Sequence, residues 1–250
     1  MIDFNWELKQ VVSGIKKGLI EKQATFFLRP HDAIWGDIHT DFAQLTDEIM
    51  ELLPDEQMQR QFLSVCFGSY LLNPTKAPKG VPSWIQSKIA ISELLGIDVS
   101  FNELLSWRWD RAAFPVLDEY ENVKNDTICY AVVASSKSGR CHLFPSWISK
   151  LMSDATQDAV AIAAEYANRT HPEQSFFIWP FVNPQKPIHS RSLGLPIYLS
   201  FLSLANWKRI PPIISTGEIN RLGELCPVQG VQHKCRKAFE KKYLRFIYPE

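Results

Sequence analysis

The sequence predicts an α+β protein, with a helical domain over residues 1–115 followed by an α/β domain over residues 116–250. Two changes of pattern carry that reading. Up to about residue 113, apolar residues recur at helical spacing between charged ones. After Pro115, β-forming runs such as Thr127–Ala134 alternate with helical segments, the pattern of a layered α/β structure. The apolar share of 46% and charged share of 22% are those of an ordinary globular chain, and 250 residues suffice for one large domain or two small ones.

In the first domain, Trp6, Leu8, Val11, Val12, Ile15 and Leu19 place one apolar stripe on a helix over residues 5–24. Thr40 can cap a second helix, Asp41 to Leu53, which Pro54 stops. A third runs from Glu56 to Leu72, and the Pro- and Lys-rich stretch from Asn73 to Pro82 connects it onward. Ser83 opens a helix that ends near Gly96. Ser100 caps a last one, Phe101 to about Ala113, with Glu103 at the N3 position. Trp107-Arg-Trp109 offers aromatic faces for stacking, but such residues more often pack a core edge.

In the second domain, Thr127–Ala134 reads as a strand, and Ser135–Gly139 as a hairpin turn into Arg140–Phe144. A long helix is expected over residues 145–168 and a buried strand over Ser175–Phe181. A polar loop follows from Val182 to Ser190, then a helix over 191–206. Strands near 211–216 and 221–226, a helix over 230–242 and a strand Leu244–Tyr248 complete the pattern.

Charge and cysteine usage narrow the function. Twenty-seven basic residues balance twenty-seven acidic ones, so the net charge argues for neither a nucleic-acid nor a membrane partner. No apolar run reaches the roughly 18–20 residues that span a bilayer. The opening residues Met1–Trp6 lack the basic and apolar regions of a signal peptide, and the expected location is the cytoplasm. Five scattered cysteines with no CxxC pair fit free thiols in a reducing compartment; no metal or other cofactor is expected. The helical half holds no phosphate-binding glycine loop and no HExxH.

Chemistry concentrates near the C-terminal end. A serine hydroxyl is a poor nucleophile at neutral pH without a base. A lysine amine can be that base where burial disfavours its charged form. Ser192 at a helix start and Lys234 between apolar Val231, Cys235 and Ala238 suit those two roles. Taken singly, Ser192 reads as a helix N-cap, Lys234 as a solvent-facing helix residue and Thr216-Gly217-Glu218 as a turn.

Four segments together resemble the proteolytic domain of the Lon protease family. Thr216-Gly-Glu-Ile-Asn-Arg-Leu-Gly-Glu-Leu-Cys-Pro-Val-Gln-Gly-Val-Gln-His-Lys234 is similar to the family's TGE(I/V)…GxVLPVGGxxxK block, with Thr216, Gly217, Glu218, Gly223, Pro227, Gly230 and Lys234 in register. Ser192-Leu-Gly194 looks like its PSAG nucleophile turn, Leu151–Ala159 like its VMxESxxxA helix, and Phe177–Pro180 like its HVHVP strand. The resemblance covers residues 127–250 and implies a Ser192–Lys234 dyad. Thr216 would orient the lysine, and Gly194, Gly217 and Glu218 would shape the site. Backbone N–H groups at the helix start would serve as oxyanion donors. The departures cluster at the nucleophile turn. Arg191 stands where proline is usual, Ser190 where glycine is, and His189 where an acidic residue is; Gln229 replaces the first glycine of the GG pair.

No Walker A motif occurs in these 250 residues, so the resemblance implies an ATP-independent Lon-like serine endopeptidase cutting a specific protein partner. The helical domain would recognise or gate that partner. The alternatives are a non-proteolytic binding module on the same fold, or a peptidase subunit docking on a regulatory protein or a separate ATPase. Oligomeric state stays open.

Overall fold

A computed structural model describes residues 4–17, 42–53, 55–72, 80–116, 127–136, 142–143, 149–150, 152–180, 191–206, 213–240, 243 and 245–250. The protein mixes helix and strand and divides into two compact units, with the break between Leu105 and Ser106. That break falls before the expected boundary at residue 115.

The first unit is helical: α1 (Phe4–Lys16), α2 (Phe42–Leu52), α3 (Glu56–Leu72), α4 (Val81–Lys88), α5 (Ile91–Leu95) and most of α6 (Phe101–Ser106). Its core is built on α3, whose Phe62, Val65, Cys66 and Phe67 are fully buried beside Ile49, Ile85, Leu94 and Leu95. Asp55 starts α3 by accepting the Met58 N–H at 2.8 Å, so an acidic side chain meets the free donors of the first turn. The helix expected from Ser83 to Gly96 is two helices. Its break lies at Ile89-Ala90, where both residues are extended, and Gly96 ends the second piece at φ 69°. Burial raises the Asp47 carboxyl, but hydrogen bonds from Trp84 and Lys88, with the lysine's charge, outweigh it and leave the group below the ordinary value.

Cys66 shows what this packing does to chemistry. Full burial pushes its thiol far above the ordinary value, because a thiolate there would be unsolvated. Iodoacetamide should therefore leave Cys66 intact in the native protein while labelling the half-buried Cys226 and Cys235. Peptide mapping reads the result, and equal labelling of Cys66 would mean that this core opens readily.

The expected helix from Phe101 to Ala113 needs correction. Ser100 does cap it, accepting the Glu103 N–H at 3.2 Å, but α6 stops at Ser106 and Arg108–Val116 forms strand β1. β1 pairs antiparallel along its whole length with β2 (Thr127–Ser136), and this ladder outweighs the helical bias of Ala112-Ala113. Trp107, 9% exposed, stacks on Phe177 at 4.4 Å between ring centroids and on Trp109 at 6.0 Å. These aromatics pack the second unit's own core.

The main sheet has the order β1-β2-β4-β3, with β3 at His142–Leu143 and β4 at Ser175–Pro180. β4 runs antiparallel to β2 and parallel to β3. The expected β2–β3 hairpin is thus replaced by an arrangement in which β4 lies between them. Ser153 caps α7 (Asp154–Thr170) through the Thr156 N–H, so that helix begins later than expected. Its alanine-rich face, with Ala159, Ala163, Ala164 and Ala167 buried, lets it pack closely on α8 (Gly194–Ala205). α8 in turn packs on β1 and β2.

Two small sheets follow. β5 (Ile213–Ser215) pairs parallel with β8 (Arg245–Ile247), and β6 (Glu218–Ile219) pairs antiparallel with β7 (Leu225–Cys226). The single strand expected at 221–226 is therefore a hairpin, because Asn220 turns the chain. Its side-chain oxygen accepts the Leu222 and Glu224 N–H groups, each at 2.9 Å. α9 (Val231–Glu240) lies between β7 and β8 in sequence.

Candidate functional site

Lys234 is a buried lysine, 5% exposed, on an amphipathic helix. The local sequence explains its position. Gly230 adopts φ 69°, which glycine takes without strain, and its carbonyl accepts the Lys234 N–H at 2.9 Å to open α9. Lys234 and Ala238, one turn apart, are the two buried residues of that helix. Ala238 packs with Ile214 of β5, beside Tyr243 and Phe246. The face that seats Ala238 thus also takes Lys234 inward. Its Nζ donates to Thr216 Oγ1 at 3.2 Å, and Thr216 is fully buried.

Thr216 is fixed from the C-terminal strand. Its N–H donates to the Ile247 carbonyl at 3.0 Å, continuing the β5–β8 ladder by one residue. The next residue, Gly217, turns the chain toward Ser192. Its N–H donates to the Ser192 carbonyl at 3.1 Å, and its own carbonyl accepts the Leu195 N–H at 3.0 Å. A Cβ at Gly217 would lie 3.0 Å from Leu195 Cδ2 and 3.1 Å from Pro249 Cδ, so this position has little room for a larger residue.

Ser192 is 6% exposed and lies in the turn before α8. That turn closes through the Gly194 N–H, which donates to the Arg191 carbonyl at 3.2 Å. Gly194 meets the β6 backbone closely: a Cβ there would stand 3.2 Å from the Ile219 nitrogen and 3.6 Å from the Gly217 carbonyl oxygen. Arg191 and Glu218 form an ion pair at 3.1 Å across the same seam. The structure therefore gathers the Ser192 turn, Gly194, Thr216, Gly217 and Glu218 along one seam, with Lys234 held on Thr216.

The first turn of α8 is short of free donors. The Gly194 and Leu195 N–H groups are already committed to Arg191 and Gly217, and Pro196 has none. The expectation that the helix start supplies a set of oxyanion donors narrows accordingly. His189 and Ser190, which depart from the expected turn sequence, lie outside the described residues. Sequence reasoning missed two features of the site. One is the Arg191–Glu218 pair, separated by 27 positions with nothing local to link them. The other is the bond from Ile247 to Thr216.

The hairpin beyond Glu218 depends on one glycine. Gly223 has φ 86°, and a Cβ there would lie 2.6 Å from the Tyr166 ring, whose hydroxyl donates to the Arg221 carbonyl at 2.9 Å. Gly223→Ala combines a left-handed backbone with this clash, and the expected loss is about 2–4 kcal/mol of stability. Thermal denaturation checks it; an unchanged transition would mean that the hairpin contributes nothing to folding.

Among the described residues, no group of three His, Cys, Asp or Glu side chains could hold a metal, and no helix is long and apolar enough to cross a membrane. The chain matches no protein-family model and no curated protein.

Proposed function

We propose that the second unit is a Lon-like serine endopeptidase domain that uses a Ser192–Lys234 dyad and needs no ATP. The observation that carries this reading is the buried Lys234 amine on Thr216 Oγ1, attached through Gly217 to the Ser192 turn. Burying a lysine is unfavourable, and a folded protein rarely retains one without a use for it. Lysine in a desolvated position beside a serine can act as a general base, since burial disfavours the ammonium form.

In this mechanism, the Ser192 hydroxyl attacks the scissile carbonyl carbon as Lys234 accepts its proton. The carbonyl π electrons move to oxygen, giving a tetrahedral oxyanion. The N–H of Leu193, the residue after the nucleophile, would receive that charge. Collapse expels the amine, which takes the proton back from Lys234, and leaves an ester on Ser192. Water then repeats the sequence, with Lys234 again the base, and releases the acid. Thr216 holds the amine in place throughout.

A second reading is a non-proteolytic module on the same fold, favoured by Arg191 at a position where the family's nucleophile turn carries proline. A third is a peptidase subunit served by a separate ATPase. An unstructured polypeptide incubated with the purified protein, without nucleotide, separates the three. Cleavage by the wild type and none by Ser192→Ala supports the proposal. Equal cleavage by both, or none by either, would reject an ATP-independent peptidase; cleavage only with an added ATPase would favour the subunit.

A further inference from the structure

Arg191 and Glu218 flank the two halves of the site. Resting on the peptidase reading above, we propose that their ion pair is a positioning clasp that sets the orientation of the Ser192 turn.

Three contacts run in succession along the seam. The Arg191 guanidinium meets the Glu218 carboxylate at 3.1 Å. One residue on, the Ser192 carbonyl accepts the Gly217 N–H at 3.1 Å, and the Gly217 carbonyl then accepts the Leu195 N–H at 3.0 Å. Ser192 therefore sits between two anchors. The backbone bonds at Gly217 hold its C-terminal side, and the ion pair holds the residue on its N-terminal side. Gly194, with no side chain, lets the turn approach the Ile219 backbone.

An ion pair between side chains 56% and 24% exposed adds little to global stability. Its effect is on geometry. Nucleophilic attack needs the reacting atoms in near-contact and aligned, and small displacements of an attacking group cost rate steeply. Proline fixes its own φ covalently, whereas arginine at this position leaves the backbone torsion free. A charge pair to Glu218 replaces that lost constraint with one that salt can weaken. Neither residue touches the reacting atoms, so both act through Ser192.

The test uses the full-length chain with a peptide substrate cleaved by the wild type. Arg191→Met and Glu218→Gln should each lower kcat about three- to tenfold with KM changed less than about twofold. The charge-swapped double variant Arg191→Glu/Glu218→Arg should recover most of the loss. Raising ionic strength should slow the wild type and leave Glu218→Gln unaffected. Wild-type kcat in both single variants would overturn the clasp, as would a double variant no better than either single one. Amide hydrogen exchange gives a readout that does not depend on peptidase activity. Exchange at Leu195 and Gly217 should quicken in each single variant and return toward wild type in the swap. If Ser192→Ala still cleaves, the peptidase reading fails while the exchange data still decide the clasp; unchanged exchange in the single variants would overturn it.

Discussion

If the proposed dyad operates, Ser192→Ala should lower peptide-bond cleavage by about four orders of magnitude or more and leave the fold intact. The size follows from the role. Removing a nucleophile eliminates the covalent route, and what remains is the modest acceleration from substrate binding and oxyanion donors. The stability effect is small because only one oxygen is lost, in a turn held by the Gly217 N–H to the Ser192 carbonyl and the Gly194 N–H to the Arg191 carbonyl. Those are backbone bonds, and alanine preserves them. Steady-state cleavage of an unstructured peptide, with a thermal melt of the same samples, checks both halves. A variant that cleaves at the wild-type rate removes Ser192 from the mechanism.

On the same proposal, Lys234→Met should have a comparably large effect on cleavage and a small one on stability. Methionine fills a similar volume but cannot accept a proton, so the base is lost and about three to four orders of magnitude in rate go with it. Two stability terms oppose each other. Removing the buried neutral amine relieves its desolvation, a gain of about 1–3 kcal/mol. The fully buried Thr216 hydroxyl then loses the donor 3.2 Å away, which costs about 1–3 kcal/mol. The sum lies close to zero. Lys234→Ala would add a cavity and a further loss of about 2–4 kcal/mol. A lysine with only a structural role would leave cleavage intact in the methionine variant. The cleavage rate of Lys234→Met separates the two, with a melt of the same sample showing that it is folded.

The sequence carries the periodic elements more fully than the paired ones. α3 is legible at both ends because Pro54 precedes it, Asp55 caps it and its apolar residues keep helical spacing. β4 is legible as a short aromatic run ending in proline, whose place in the sheet permits full burial of Phe176 and Trp179. β1 is not legible. Trp109-Asp-Arg-Ala-Ala113 has no strand alternation, and only pairing with β2 makes it extended. The parallel match of β3 to β4 is invisible for the same reason, since His142 meets Phe177 from 35 positions away.

The site divides along similar lines. Lys234 and Thr216 stand in one short block with its own turn glycines, Gly223 and Gly230, both of which adopt positive φ. That local grammar is readable. The seam that joins this block to Ser192 consists of backbone bonds to Gly217 and a charge pair to Glu218, neither of which leaves a pattern in the sequence. Arg191 read as a departure from the expected turn, and only the folded chain gives it a partner.

Whether Ser192 and Lys234 together cut a protein partner is read most directly from new protein N-termini in matched cells. One culture carries the wild type, a second Ser192→Ala and a third Lys234→Met, all at equal abundance. A Ser192–Lys234 peptidase should give a small set of N-termini present with the wild type and absent from both variants, each within a flexible segment of its parent protein. N-termini shared by all three cultures, with none depending on Ser192 and Lys234 together, would rule out the dyad.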